Sequence, residues 1–242
     1  MPQQSLVQSL AQSLVRAATR NNAGWCAVMS RAHGAPSSFG PQGWAAPTRT
    51  PPYYRDAVTL VPDADPTELL NLIDRTAPDA TIKDSFADLD LTGAGFHVLF
   101  EAQWVHRPAS APAVASDVPW SVVDTAPALH TWAQAWDNAQ ENADLFRPEL
   151  LNDPATTVLA GHATDGTMIA GAVASRSDQI VGISNVFARN DDLDTAWPMI
   201  LNAAHTLFPG HPLVGYEHTA DLEAALHHGF EPIGALRIWL CG

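Results

Sequence analysis

The chain has 242 residues, with 26 acidic against 12 basic side chains, a formal net charge of −14, and Lys83 as its only lysine. Nucleic acids and anionic membranes are held through cations that displace counterions, so this balance argues against both as partners. At this length folding buries roughly 70–75% of the unfolded surface, enough core for one large domain or two small ones.

No apolar run reaches about 18 residues, and no basic start leads into an apolar block, so neither a membrane span nor a signal peptide is expected and the location defaults to the cytoplasm. In chain order, SLVQSLAQSLVRAATR spaces Leu6, Val7, Leu10, Leu14 and Ala17 along one face and predicts a packed helix. GWCAVMS then predicts a strand carrying Cys26. Cys26 and Cys241 are the only cysteines and read as two reduced thiols rather than a disulfide.

The stretch 35–54 is rich in proline and glycine and carries Phe39, Trp44, Tyr53 and Tyr54. It reads either as irregular cover or as a lid over a pocket or partner. DAVTLVP predicts a strand, DPTELLNLIDRT a helix, ATIKD a strand, FADLDLTGA a short helix and FHVLFEAQWV a final strand. ASAPAVASDVP, 109–119, is small, proline-rich and aperiodic, which marks a linker.

Beyond the linker, PWSVVDT is a strand, and PALHTWAQAWDNAQENADLF places Leu129, Trp132, Trp136 and Ala139 at helical spacing up to Pro148. TTVLAGHA, TMIAGAVASR and QIVGISNVFA follow as an antiparallel meander turning at Asp165–Gly166 and Ser177–Asp178. DDLDTAWPMILNAAHTLF is a helix with Leu193, Trp197, Ile200, Leu201 and Leu207 inward. The strand PLVGY, the helix TADLEAALHH and the strand FEPIGALRIWL complete the order β-α-βββ-α-β-α-β.

The two halves close alike. ADLDLTGAGFHVLFEAQW aligns with ADLEAALHHGFEPIGALRIW with one residue gained on each side of the Gly-Phe, matching Gly95 with Gly229, Phe96 with Phe230 and Trp104 with Trp239. This predicts an internal repeat, with each glycine ending a helix in the left-handed conformation and each phenylalanine entering the core.

The meander, crossing helix, strand and short helix ending in Gly-Phe resemble the GNAT superfamily of acyl-CoA-dependent N-acyltransferases. The resemblance implies an α+β fold with a GNAT-like mixed sheet and flanking helices. It divides the chain into a truncated GNAT-like domain over 1–108, the linker 109–119, and a complete GNAT-like acyltransferase domain over 120–242. It further implies acetyl-CoA or another acyl-CoA as donor and a small-molecule substrate, a small amine, as acceptor.

In that family a loop of the form Arg/Gln-x-x-Gly-x-Gly/Ala wraps the coenzyme A pyrophosphate in backbone N–H groups at a helix N-terminus. Here the loop reads RNDDLD: Arg189 keeps the leading position, while Asp192 and Asp194 replace the two small residues. Asp191 or Asp192 suits the N-cap, and first-turn carboxylates suit the helix dipole, so the loop reads as a degenerate cofactor loop whose helix carries its own anions. The resemblance assigns cofactor contact to Val186, Phe187, Ala188 and Arg189, the first three through backbone hydrogen bonds to the pantetheine. The family's general acid, a tyrosine four residues before the Gly-Phe, is replaced by Ala225, and a frequent asparagine is replaced by His218.

That leaves Tyr216, Glu217 and His218, where PLVGY runs out into the next helix, as the candidate catalytic group. A phenol, a carboxylate and an imidazole can between them deprotonate an amine and protonate a thiolate. The alternative is structural, with Thr219 or His218 capping the helix and Tyr216 half buried. Ten histidines bring no HExxH and no CxxC, and adjacent His227 and His228 point about 100° apart on a helix, so a metal site is not expected. No Gly-x-Ser-x-Gly elbow supports a serine triad. Two function classes stay open: an acyltransferase working from acyl-CoA or another acyl thioester, and a non-catalytic GNAT-fold binding or assembly module that has lost the cofactor.

Overall fold

The computed structural model describes residues 2–76, 78–137, 142–189 and 192–242, and the chain forms two compact units. Unit 1 takes Met1–Trp104 together with Pro232–Gly242, and unit 2 takes Val105–Glu231. These units divide the chain differently from a boundary at 109–119, because the last strand is built into the N-terminal unit.

In unit 1 a long helix α1 (Pro2–Ala32) leads to strands β1 (Ser38–Phe39), β2 (Gly43–Ala45) and β3 (Ala57–Thr59), the short helix α2 (Pro66–Leu70) and β4 (Thr81–Asp84). A single 3₁₀ turn (Thr92–Ala94) then feeds β5 (Phe96–Arg107). β1–β2 and β2–β3 pair antiparallel, and β3–β4 pair parallel. The closing strand β11 (Glu231–Cys241) pairs antiparallel with β4, Trp239 opposite Ile82 and Arg237 opposite Asp84.

Four expectations differ from the structure in this unit, one being the helix of DPTELLNLIDRT, which covers only Pro66–Leu70. GWCAVMS is the last part of α1, not a strand. Val15, Ala18, Thr19, Ala23, Cys26, Met29 and Ser30 are all buried at intervals of three and four, so one helical face runs straight through Gly24. Such a face outweighs the cost of about 1 kcal/mol for an interior glycine. The packed face of α1 is also not the leucine stripe, since Leu10 is 62% exposed; the side chains of Leu6 and Val7 lie outside the described ones. FADLDLTGA forms only the 3₁₀ turn, because Asp84 draws the backbone N–H groups of Phe86, Asp88 and Leu89 into a compact loop instead.

Unit 2 contains β6 (Trp120–Val123), α3 (Ala126–Asp137), β7 (Thr156–His162), β8 (Met168–Arg176), β9 (Val181–Ala188), α4 (Leu193–Leu207), β10 (Leu213–Glu217) and α5 (Thr219–His227). The strand order β6-β7-β8-β9-β10 is the expected meander plus one parallel partner. α3 covers Ala126–Asp137 and does not run on to Pro148 as its sequence predicts, residues 143–145 forming a turn instead, and Ala139 lies outside the described residues. Trp197, Ile200 and Leu201 of α4 are buried against β8 and β9 as their spacing predicts, whereas Leu207, near the free end of the helix, is 37% exposed.

The two Gly-Phe turns are the same motif. Gly95 and Gly229 have φ of +88° and +84°. In each, the glycine N–H bonds three residues back and the phenylalanine N–H five back: Gly95 to Thr92 and Phe96 to Leu91, then Gly229 to Leu226 and Phe230 to Ala225. Both phenylalanines are 3% exposed. This is the Schellman ending, which needs a residue without Cβ at the left-handed position and gains a buried contact from the residue after it.

Candidate active site

The candidate site in unit 2 arises from the way β9 and β10 part. Their registered pairs are Leu213 with Val181 and Val214 with Gly182. Beyond them β9 continues to Ala188 and β10 to Glu217, with no further pairs between them in the register. Two features hold that opening. β9 carries one extra residue opposite β8, since Gly171 faces Phe187 but Val173 faces Ser184, and Asn185 takes φ +51° within this bulge. At the other lip Thr219 takes φ +49° as β10 turns into α5. Among the described residues of unit 2, Asn185 and Thr219 are the only non-glycine residues at positive φ, and both lie at this opening. Strain of this kind persists where the surroundings impose it and concentrates at functional sites.

Tyr216, Glu217 and His218 come together at the end of β10, all half-buried. Burial pushes the Glu217 carboxyl up to about 8, and the nearby Asp221 carboxylate adds to the effect. Among the described residues no hydrogen-bond partner satisfies Glu217, unlike Asp84, the acid at the end of β4, which accepts three backbone N–H groups and serves the 85–89 loop. His218 occupies the N-cap position of α5 without capping it through its side chain; its Nδ1 stands 3.1 Å from Thr219 Oγ1. The imidazole thus meets the hydroxyl of the first residue of α5 and not a backbone N–H of its first turn.

On the facing strand, Ser184, Asn185 and Val186 are half-buried. Among the described residues the buried Ser184 Oγ has no hydrogen-bond partner. Phe187 is not a lining group: its ring packs edge-on against Trp132 at 5.2 Å and anchors the bulge from behind. Ala188 pairs with Ala170. What β9 offers toward the opening is therefore backbone, on the edge that β10 has left.

The residues of the RNDDLD loop behave differently. Asn190 and Asp191 lie outside the described residues. Asp192 is the N-cap of α4, yet its carboxylate takes the Thr195 hydroxyl at 2.8 Å rather than a backbone N–H. Asp194 Oδ1 lies 2.9 Å from His228 Nε2 and 3.9 Å from His227 Nδ1. The paired histidines thus do converge on one point, but that point is a carboxylate. A helix does not place neighbouring side chains together; His228 manages it by standing at the end of α5, where regular turns cease.

An open groove of about 650 Å³ lies between the first turn of α4 and α5, lined by Asp192, Asp194, Asp221 and Glu223 with His227 at one end. Arg189 is exposed and shares its field with Asp165, whose carboxyl is held low first by Thr167 and last by Arg189. A diphosphate needs free N–H groups and uncommitted cations at such a helix start. The groove presents four carboxylates instead, so the residues here do not fit the diphosphate of coenzyme A. Ala225, at the place of the family's tyrosine acid, is fully buried in the unit 2 core and contributes no proton donor.

No protein-family model matches the sequence, and no curated protein matches it. Solved structures do. A GCN5-related N-acetyltransferase from Kribbella flavida matches at 16% identity and a TM-score of 0.60, over 93% of this chain and 95% of that one. A functionally unknown protein from Staphylococcus epidermidis matches at 10% identity and 0.60, over 86% and 94%. A GNAT-family structure from Novosphingobium aromaticivorans matches at 14% and 0.55, over 84% and 89%. The chain thus has a GNAT-like α+β fold, with a mixed sheet and flanking helices. No helix among the described residues is long and apolar enough to cross a membrane.

Proposed function

We propose that the chain is an N-acyltransferase that moves an acetyl or acyl group from an acyl thioester to a small amine, with the parted ends of β9 and β10 as its active site. The observation that carries this reading is Glu217: a carboxyl without a hydrogen-bond partner among the described residues, raised to about 8, at the mouth of the parted strands.

A proton acceptor works best when its pKa lies near the working pH. Glu217 in its ionised form takes a proton from the attacking amine as nitrogen bonds to the acyl carbon. As the carbon–sulfur bond breaks, the thiolate needs a proton, and His218 or Tyr216 beside Glu217 delivers it. Asn185 and Val186 lead the β9 backbone past the opening, where Val186, Phe187 and Ala188 present main-chain groups to a pantetheine-type arm. The two chain halves, with their identical Gly-Phe turns, are the remains of a tandem GNAT-like repeat in which the first, over 1–108, is truncated.

The acidic groove at α4 favours a second reading, a GNAT-fold binding module without catalysis. Thiol release separates the two. S-acetylpantetheine and acetyl-CoA are each incubated with the protein and a panel of small amines, and free thiol is followed with a chromogenic disulfide. Amine-dependent release that Glu217→Gln lowers at least a hundredfold supports the enzyme; no amine-dependent release from either donor supports the binding module.

A further inference from the structure

Building on the acyl-transfer reading, we infer that this protein grips its acyl donor by the pantetheine arm alone and repels the diphosphate of coenzyme A at the start of α4. The support is the excess of carboxylates around that helix start, where Asp192 and Asp194 are already engaged by groups of the protein itself. Asp192 holds the Thr195 hydroxyl, and its carbonyl oxygen accepts the Thr195 N–H. Asp194 holds His228 and stands next to His227, the two imidazoles nearest the groove. Asp221 and Glu223 face them from α5. Arg189, the single arginine of the loop, neighbours Asp165.

The positive end of the α4 dipole is thereby met by the protein's own carboxylates, which is where a phosphate would have gained its binding energy. An incoming diphosphate finds like charges across a groove open to solvent. Salt screens such exposed charges over about 10 Å at 0.1 M, so the repulsion must weaken as ionic strength rises. A phosphate cradle built from cations and N–H groups responds to salt in the opposite direction. The sign of the salt dependence therefore discriminates the two designs without any mutation.

The experiment measures binding of acetyl-CoA and of S-acetylpantetheine, which carries no phosphate, by calorimetry at 20 mM and 300 mM sodium chloride. The expected result is that S-acetylpantetheine binds at least as tightly as acetyl-CoA, and that acetyl-CoA binding strengthens severalfold at high salt. Asp192→Asn with Asp194→Asn should then tighten acetyl-CoA about tenfold at low salt. Acetyl-CoA binding ten times tighter than S-acetylpantetheine, or weakening as salt is added, overturns the inference while leaving acyl transfer standing. Binding of neither probe overturns acyl transfer and the inference with it. Should the double variant fail to fold, the salt response of the native protein still decides.

Discussion

His228 Nε2 lies 2.9 Å from Asp194 Oδ1, which ties the end of α5 to the first turn of α4. One carboxylate thus occupies the helix start, where the fold would otherwise offer its positive end to a ligand, and engages the paired histidines. His228→Ala removes this bond from a side chain that is 19% exposed while its partner is 62% exposed. The partly solvated setting limits the loss to about 0.5–1 kcal/mol, read as a shift in the urea midpoint with an unchanged slope. The same change at the more exposed His227 should cost less.

Glu217 makes stability depend on pH in a definite sense. Its carboxyl is raised from 4.5 to about 8 by burial and then by Asp221. Between those two values the folded protein holds a proton that the unfolded chain has released, so stability falls as pH rises through this window and the full penalty is present above about pH 8. Glu217→Gln removes the penalty. It should raise the melting temperature at pH 8.5, by an effect on the order of 2 kcal/mol after allowance for partial solvation, and leave it nearly unchanged at pH 4. The same substitution should lower thiol release by roughly 10²–10⁴-fold. A more stable and less active variant is what a catalytic carboxylate held in an unfavourable place produces.

Gly229 and Gly95 should each resist substitution by alanine, for conformational rather than steric reasons. A Cβ on Gly229 would come no nearer than 3.6 Å to Arg107 Nε, and one on Gly95 meets nothing within 4 Å. Both backbones are left-handed, which costs an L-residue roughly 1–2 kcal/mol. Chemical denaturation of the two variants should give similar losses of that size. A negligible loss at either would show that its turn is free to rearrange.

Gly171 should be the most sensitive glycine near the bulge. A Cβ there would fall 2.4 Å from Trp132 Nε1, 2.5 Å from the Phe187 ring and 2.8 Å from Leu159 O. It would displace the buried Trp132 Nε1 donor from its 2.8 Å bond to Leu159 O and push Phe187 off the back of β9. Gly171→Ala is expected to cost about 2–4 kcal/mol and to weaken S-acetylpantetheine binding through the displaced bulge. Thermal unfolding and calorimetry of the same sample test both parts.

Much of unit 2 was readable from periodicity. The meander, α3, α4, β10 and α5 follow from alternation, helical spacing and turn residues, and the Gly-Phe pairs announced two identical endings. Tyr216, Glu217 and His218 could be picked out as candidates because they stand at the end of a strand in polar sequence. The bulge at Asn185 and the strained Thr219 were not, since neither residue type demands positive φ; an asparagine inside a run of strand formers was the single available hint. GWCAVMS misled because its apolar residues are as compatible with one helical face as with a strand.

Taken alone, the sequence determined the acidic surface, the elements of unit 2 and the chemistry available at Tyr216–His218, because these depend on residue types and on spacings of two to four residues. Tertiary structure decided the rest. It set β11 against β4 in the N-terminal unit, kept Asp84 occupied by its own loop while Glu217 stayed unengaged among the described residues, and turned His228 onto Asp194. The β11 and His228 outcomes depend on contacts between residues far apart in sequence, which nothing local to them encodes, whereas Asp84 is satisfied by its own neighbours Phe86, Asp88 and Leu89.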